Sequence, residues 1–205
     1  YQLYNNCAGK HLAMLTTCKL NKFSINNYLD FDHPHQIKIR DVFSKFTEEK
    51  ILLKNYGIDG CSAPQYSFKI KQLGKALSNL YKSYNSEFEY SYNTKTMIDS
   101  ILKNPLYIGG SKNLDSNLIK ISNGSIFCKG GAEGVFLFIN LKKGVFGILK
   151  VKDGNERVLP SAVYTLFKKF KILKKDELKQ FISWDNFDLY NHAKTKIGNI
   201  VTIIE

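Results

Sequence analysis

Apolar and polar residues alternate with a helical period along the first part of this 205-residue chain, up to Ile121. Apolar positions recur there at spacings of three and four, which is typical of helices that bury one face. In the clearest case Leu73, Leu77 and Leu80 fall on one side. The predicted helices are Gly9 to Leu20, Pro34 to Phe46, Ile70 to Tyr84, Thr94 to Leu102 and a short helical turn at Asp115 to Ile121.

After Ile121 the pattern changes to short runs rich in Val, Ile and Phe that are separated by glycine, which indicates strands. The predicted strands are Ser125 to Lys129, Val135 to Leu141 and Gly144 to Val151 as an antiparallel meander, Lys50 to Tyr56 earlier, and Gly198 to Ile204 at the end. The helices predicted between them are Leu159 to Phe170 and Asp176 to Ile182. Helices followed by an antiparallel sheet predict one α+β domain over residues 1–205.

Composition narrows the class of protein. A hydrophobic content of 43% allows one sizeable core, or at most two small ones, in a chain of this length. No apolar run approaches the roughly 18 to 20 residues that a membrane helix needs, so we expect no membrane partner. Four cysteines are too few for a disulfide scaffold, which predicts a cytoplasmic protein with free thiols.

The net charge of +12 suggests a nucleic-acid-binding protein as an alternative. Only Arg40 and Arg157 are arginines among the 30 basic residues, although arginine is favoured for reading bases and gripping phosphates. The lysines are also scattered along the chain. We therefore interpret them as a solvated surface and expect no nucleic-acid partner.

Two polar segments carry cysteines. In NNCAGKH, Cys7 and Lys10 are three residues apart and would face the same site on a helix, where an ammonium lowers the pKa of a neighbouring thiol. In GIDGCSAP, Cys61 follows Asp59 on a glycine-flanked turn. A shared site of Cys7 and Cys61 is one interpretation. On spacing alone, two independent thiols are the alternative.

A third polar segment is KGGAEGV, from Lys129 to Val135. A lysine followed by two glycines can bring an ammonium and bare backbone amides close to a carboxylate or an oxyanion. A glycine-rich hairpin is the alternative, and the spacing excludes a P-loop. We interpret His33 and His35 as capping and packing residues, with Asp32 as the N-cap of the following helix.

Several motifs together resemble one family. In chain order they are NNCAGKH (5–11), DHPHQ (32–36), GIDGCSAP (57–64), NPLYIGG (104–110), KGGAEGV (129–135), VKDGNER (151–157) and LPSA (159–162). The chain resembles the L-asparaginase II family over essentially its whole length. These are the thermolabile, rhizobial-type amidohydrolases, which are unrelated to the familiar bacterial type I and II asparaginases.

The resemblance implies a fold similar to serine β-lactamases and penicillin-binding proteins, and hydrolysis of L-asparagine to L-aspartate and ammonia. It implies a zinc ion, structural or modulating, bound by Cys7, Lys10 and Cys61. The second catalytic lysine of the family corresponds to Lys129, and the aspartate that holds it corresponds to Asp59. The substrate-binding residues then correspond to Gly130, Gly131 and Glu133.

The chain also departs from the family pattern. Ala8 stands where the family usually has serine, and we expect the chain to lack both the Ser-x-x-Lys nucleophile and the second catalytic serine of the family. We therefore expect the chain to form the C-terminal two-thirds of the fold, with an incomplete sheet. We also expect the chain to be inactive without a complementing N-terminal segment and prone to form homo-oligomers. A noncatalytic remnant that keeps a zinc-binding fold is the alternative, and a basic nucleic-acid-binding protein is the third.

Overall fold

The computed structural model describes residues 5–185 and 187–205, which combine helices with small antiparallel sheets. The α+β class predicted from the hydrophobic pattern is confirmed at this level. The described residues fall into two compact units, one that ends at Asn79 and one that starts at Leu80. Each unit holds one of the two groups of candidate functional residues.

The first unit contains two helices and a small hairpin. Its elements are α1 (Ala8–Leu20), α2 (Pro34–Thr47), a 3₁₀ turn (Leu53–Asn55), β1 (Tyr56–Ile58) and β2 (Pro64–Tyr66), and α3 (Ile70–Tyr84) begins in it. Strands β1 and β2 pair antiparallel, with Tyr56 opposite Tyr66 and Ile58 opposite Pro64. This pairing makes the GIDGCSAP motif a tight turn between two short strands.

The start of α2 differs in one detail from the prediction. The cap is His33 rather than Asp32, because the His33 Nδ1 atom accepts a hydrogen bond of 3.1 Å from the backbone N–H of His35. Pro34 occupies the first helical position, as its fixed φ favours. The two histidines therefore have the capping and packing positions expected for them, and both are buried.

The strand predicted at Lys50 to Tyr56 is wrong in its position. The Asn55 side chain accepts a hydrogen bond of 3.2 Å from the backbone N–H of Leu52, and the Asn55 N–H donates to the Leu52 carbonyl at 2.9 Å. These bonds close the 3₁₀ turn, and the strand starts only at Tyr56. Asparagine competes with extended structure in this way because its amide can replace backbone hydrogen bonds.

The second unit follows the predicted order of helices, sheet and helix. Its elements are α4 (Ser91–Lys103), α5 (Leu106–Gly109), α6 (Leu114–Ile121), β3 (Ile126–Gly131), β4 (Val135–Asn140), β5 (Val145–Lys150), α7 (Leu159–Lys169), α8 (Lys175–Lys179), β6 (Phe187–Tyr190) and β7 (Lys196–Ile200). Short 3₁₀ turns lie at Glu156–Val158 and Ile182–Trp184. The helix predicted at Asp176 to Ile182 is therefore shorter than expected: α8 ends at Lys179, and Ile182 begins a separate 3₁₀ turn.

The β3-β4-β5 meander is confirmed as an antiparallel sheet. Lys129 lies opposite Leu137 on β4, and Gly131 lies opposite Val135 at the hairpin end. One face of the sheet packs on α7, where the rings of Phe138 and Phe167 meet edge to face at 4.7 Å. This core fixes the strand that carries Lys129.

The closing strand predicted at Gly198 to Ile204 is only partly correct. Strand β7 ends at Ile200 and pairs with β6, which the hydrophobic pattern did not predict. Beyond it, the Thr202 hydroxyl lies 2.8 Å from that of Ser161, and Lys169 Nζ donates to the backbone oxygen of Ile204 at 3.0 Å. Side chains of α7 therefore hold this segment in place of a partner strand.

No helix within residues 5–185 and 187–205 is both long enough and apolar enough to cross a bilayer.

Buried Asn140 ties the end of β4 to its surroundings. Its Nδ2 atom donates to the Ile172 carbonyl at 2.8 Å, and its Oδ1 atom accepts from the N–H groups of Lys142 and Lys143 at 3.1 and 3.0 Å. We expect Asn140→Ala to lower the free energy of unfolding by about 1 to 3 kcal/mol, because it leaves these buried groups unpaired. Urea denaturation measures the change.

Asn85→Ala is the matched control for that measurement. The Asn85 amide also donates to a backbone carbonyl, that of Tyr81 at 3.0 Å, but on the exposed surface. We expect its effect to stay within about 0.5 kcal/mol, as for most surface substitutions. Equal effects of the two variants would contradict a special role of Asn140.

Candidate functional site

The two cysteine motifs of the first unit meet in space. The start of α1 brings Cys7, Lys10 and His11 to the β1–β2 turn, which supplies Asp59 and Cys61. We refer to these five residues as the cysteine–lysine cluster. The structure therefore brings together the three residues that the family resemblance implies as metal ligands.

Asp59 organises the turn of this cluster. Its Oδ1 atom accepts hydrogen bonds from the Cys61 N–H at 2.9 Å, the Ala63 N–H at 3.1 Å and the Cys61 thiol at 2.9 Å. Burial alone would raise the pKa of the Asp59 carboxyl, but these bonds and the Lys10 ammonium outweigh it and hold the pKa well below its usual range. Asp59 is therefore a carboxylate that fixes the Cys61 side chain.

Lys10 reaches the same carboxylate from α1. Its Nζ atom lies 2.8 Å from Asp59 Oδ2, which also accepts a bond of 2.9 Å from Gln65. Partial burial works to lower the pKa of Lys10, but the hydrogen bonds to Asp59 and Cys61 raise it overall. Lys10 is thus an ammonium that links the helix to the turn.

The side chains of Cys7 and Cys61 lie close enough to interact. This interaction, followed by burial, raises the pKa of the Cys7 thiol, and the charge of Lys10 lowers it by less. The charge of Lys10 thus acts on the pKa of Cys7 in the expected direction, but the Cys61 side chain and burial outweigh it. The neighbouring Cys61 thiol decides the direction, and sequence spacing alone did not reveal that neighbour.

His11 is a member of the cluster whose role sequence reasoning missed. Its Nε2 atom lies 3.1 Å from Cys61 Sγ, and its Nδ1 atom lies 2.7 Å from the Tyr28 hydroxyl. The two rings meet edge to face at 5.9 Å. The available signal was the position of His11 directly after Lys10 in NNCAGKH. The imidazole connects the Tyr28 hydroxyl with the Cys61 sulfur.

An open pocket of about 460 Å³ lies beside the cluster. Its lining combines the His11 and Cys61 side chains with an apolar wall from α1. The lining residues are Asn5, Ala8, His11, Leu12, Leu15, Tyr28 and Cys61. A small molecule in this pocket would contact the sulfur and imidazole edge of the cluster.

The second group of candidate residues lies on β3. The Lys129 Nζ atom is 3.5 Å from Oδ2 of Asp115, a carboxylate at the start of α6 whose side chain is only 5% exposed. Lys129 also donates to the Gly130 carbonyl. Its side chain is 46% exposed, so the ammonium combines a buried counter-charge with access to solvent. Sequence reasoning did not single out Asp115.

The residues after Lys129 form the β3–β4 hairpin. Gly130 is half-buried, and its N–H donates to Asp115 Oδ2 at 3.2 Å, while Gly131 is exposed at the last position of β3. Glu133 is exposed on the turn with φ of 62°, and its carbonyl accepts from Lys150 Nζ at 2.6 Å. The segment is the glycine-rich hairpin of the alternative interpretation, and it also presents a lysine and backbone amides.

The carboxylate that lies beside Lys129 is one that the resemblance did not imply. Asp59 belongs to the first unit and bonds to Lys10, whereas the carboxylate beside Lys129 is Asp115 of the second unit. A contact of Asp59 with Lys129 stays a prediction.

The motifs can now be compared with known families. A family model described as L-asparaginase II matches residues 1–202. The chain belongs to the L-asparaginase II family. No curated protein matches it. Membership of this amidohydrolase family suggests asparagine as the substrate, and both the cysteine–lysine cluster and Lys129 lie within the matched residues.

The asparaginase II chain does contain one Ser-x-x-Lys spacing, contrary to expectation. It is Ser100 to Lys103, in the last turn of α4. Ser100 is exposed, and its hydroxyl donates to the carbonyl of Thr96 at 2.6 Å. A nucleophilic serine needs its hydroxyl hydrogen-bonded to a base, and this one bonds to the backbone of its own helix. The spacing was present in the sequence, but it does not supply a nucleophile.

The zinc ion implied for asparaginase II can be tested against the donor atoms. The two thiols of Cys7 and Cys61, which interact with each other and with Lys10, are of the ligand type that zinc prefers, whereas a lysine amine is an unusual zinc ligand. Lysine binds a metal only as a neutral amine, so Lys10 would leave Asp59. Among residues 5–185 and 187–205, no group of three or more His, Cys, Asp or Glu side chains is arranged to hold a metal. By donor type, Cys7, Lys10 and Cys61 fit the ion.

Proposed function

We propose that this asparaginase II chain carries part of the machinery that hydrolyses L-asparagine to L-aspartate and ammonia. Lys129 supports the proposal most directly, since its ammonium lies on a glycine-rich strand edge beside a buried carboxylate. Together with the family membership, this favours an amidohydrolase over a simple binding protein.

In the proposed reaction a serine Oγ attacks the side-chain carbonyl carbon of asparagine and loses its proton to a lysine amine. The C–N bond then breaks as the nitrogen takes up a proton and leaves as ammonia. Water hydrolyses the resulting ester to aspartate and frees the serine. Lys129 would transfer one of these protons, and proton transfer by a positioned side chain is typical of such steps.

The substrate would lie against the β3–β4 hairpin. Gly130 and Gly131 have no side chains to block its approach, and Glu133 would bind the α-amino group of asparagine. The fold that the family resemblance implies, similar to serine β-lactamases, would place the nucleophile opposite Lys129.

A zinc ion on Cys7, Lys10 and Cys61 would tie α1 to the β1–β2 turn, and it would supply a fixed positive charge. The residues of the chain do the remaining work. Asp59 holds the turn, while His11 and Tyr28 orient the Cys61 sulfur through their hydrogen bonds.

The nucleophile is proposed to come from a separate Ser-x-x-Lys segment, because Ser100 is bonded to its own helix. We expect no ammonia release from L-asparagine by the 205 residues alone, and release when such a segment is supplied. A coupled glutamate dehydrogenase assay measures both, with L-glutamine as the comparison substrate. Turnover by the 205 residues alone would contradict this part of the proposal.

A noncatalytic chain that retains the zinc-binding unit is the second candidate. The assembled cysteine–lysine cluster favours it, since that cluster needs no serine. The same assay decides between the two. Zinc binding without ammonia release in either preparation would support the noncatalytic candidate.

A further inference from the structure

The second unit contains a buried carboxylate that the family resemblance did not bring to attention. Asp115 is the second residue of α6, and its side chain is 5% exposed. A buried carboxylate is costly unless charges and hydrogen bonds compensate for the lost water. The partners of Asp115 therefore indicate why the residue is there.

Three donors converge on Asp115. Its Oδ1 atom accepts from the N–H of Ser116 at 2.9 Å. Its Oδ2 atom accepts from the N–H of Gly130 at 3.2 Å and lies 3.5 Å from the Lys129 ammonium. Two of the three donors thus belong to the KGG segment, and one carboxylate oxygen contacts both the lysine and the backbone amide that follows it.

The NPLYIGG motif contributes to the same place. A Cβ atom on Gly109 would lie 2.3 Å from Asp115 Oδ1, a distance at which the carboxylate has to move. Gly109 ends α5, so the motif closes over the carboxylate without a side chain. Two motifs that are separate in the sequence meet at Asp115.

We propose that Asp115 is the positioning residue of Lys129, holding its ammonium at the edge of β3 in the orientation that proton transfer requires. The catalytic role in this inference rests on the proposed function, whereas the contact between Asp115 and Lys129 does not depend on it. Asp115 would act through Lys129 and the Gly130 amide without touching the substrate. A single oxygen that fixes both groups would keep their separation constant.

The test measures the reactivity of individual lysines in the folded protein. Wild type and Asp115→Asn are treated with limiting acetyl N-hydroxysuccinimide ester, and acetylation at each lysine is quantified by peptide mass spectrometry. The contact with Asp115 holds the Lys129 Nζ atom against the edge of β3, which limits its approach to the ester. We expect acetylation of Lys129 to rise about three-fold or more in the variant, because the side chain is released from β3, with other lysines unchanged. An unchanged rate at Lys129 would overturn the proposal.

The matched control is Asp185→Asn. Asp185 pairs with Lys168 at 3.1 Å on the exposed surface of the same unit. This variant removes a carboxylate beside a lysine without affecting β3, so Lys129 should keep its wild-type rate. Should Asp115→Asn fail to fold by circular dichroism, Gly109→Ala decides by the same criterion, since it displaces the carboxylate without removing it.

A second readout separates positioning from a structural role. In a preparation that hydrolyses asparagine, Asp115→Asn should lower kcat about ten-fold or more with little change in KM, and Asp115→Glu should restore part of it. Equal losses in Asn and Glu variants would contradict positioning. Acetylation needs no turnover, so increased labelling in a protein that stays inactive even when the Ser-x-x-Lys segment is supplied would refute asparagine hydrolysis and leave the role of Asp115 standing.

Discussion

Replacing Lys129 with alanine should lower turnover of L-asparagine by about 100-fold or more in a catalytically complete preparation. The substitution removes the ammonium beside Asp115, and loss of a general acid–base group typically has an effect of this size. We expect kcat to fall more than KM rises, because the group acts in proton transfer. Steady-state kinetics of ammonia release measure both constants.

Lys168→Ala is the control for this experiment. Lys168 is also paired with an aspartate, Asp185, in the second unit, but its side chain is 56% exposed. Removing it should leave turnover within about two-fold of wild type, as expected for a weak surface ion pair. Near wild-type activity of Lys129→Ala would instead place the proton-transfer group elsewhere.

Replacing Cys61 with serine should abolish zinc binding. We expect purified wild-type protein to contain about one equivalent of zinc and the variant to contain almost none, because a hydroxyl is a far weaker zinc ligand than a thiolate. Cys61 also lies at the centre of the cluster: His11 contacts its sulfur at 3.1 Å, and it influences the pKa values of both Cys7 and Lys10. Metal analysis by inductively coupled plasma mass spectrometry gives the stoichiometry.

Cys18→Ser is the matched control. Cys18 is buried on the same helix, α1, about 16 Å along the helix axis from Cys7. This variant should keep the full equivalent of zinc. Circular dichroism of both variants shows whether the fold persists. Equal zinc content in the wild type and in a folded Cys61→Ser protein would remove the cysteine–lysine cluster as the metal site.

All of the hydrogen bonds described for Asp59 lie within the first unit. Asp59 is bonded to Lys10, Gln65 and the turn that holds Cys61. Its visible role is therefore to organise the cysteine–lysine cluster, and orientation of Lys129 by Asp59 stays a prediction. If Asp115 holds Lys129 as we propose, Asp59→Asn should affect zinc content more strongly than it affects the acetylation of Lys129.

Local sequence signals were sufficient for most of the secondary structure. The spacing of Leu73, Leu77 and Leu80 predicted α3 with its observed bounds, and the glycine-separated apolar runs predicted the β3-β4-β5 meander. Both features depend on residues close in the chain, namely one amphipathic face or one turn between neighbouring strands. The family motifs are local in the same sense, which is why they identified the family without a structure.

Errors arose where a side chain replaced a backbone partner. The Asn55 amide turned a predicted strand into a 3₁₀ turn, and α7 side chains hold the segment after Ile200 in place of a partner strand. Hydrophobic periodicity reports burial, but it does not report which polar group satisfies a given N–H or C=O.

The sequence by itself determined the α+β class and the family, and it supplied the candidate functional residues. Only the tertiary structure decided their partners: Tyr28 for His11, His11 for Cys61, Cys61 for Cys7, and Asp115 for Lys129. His11 and Cys61 are 50 positions apart, and their contact exists only because the β1–β2 turn packs against α1. Contacts of this kind depend on how whole elements close loops and bury surface together, and no local pattern of residues encodes that outcome.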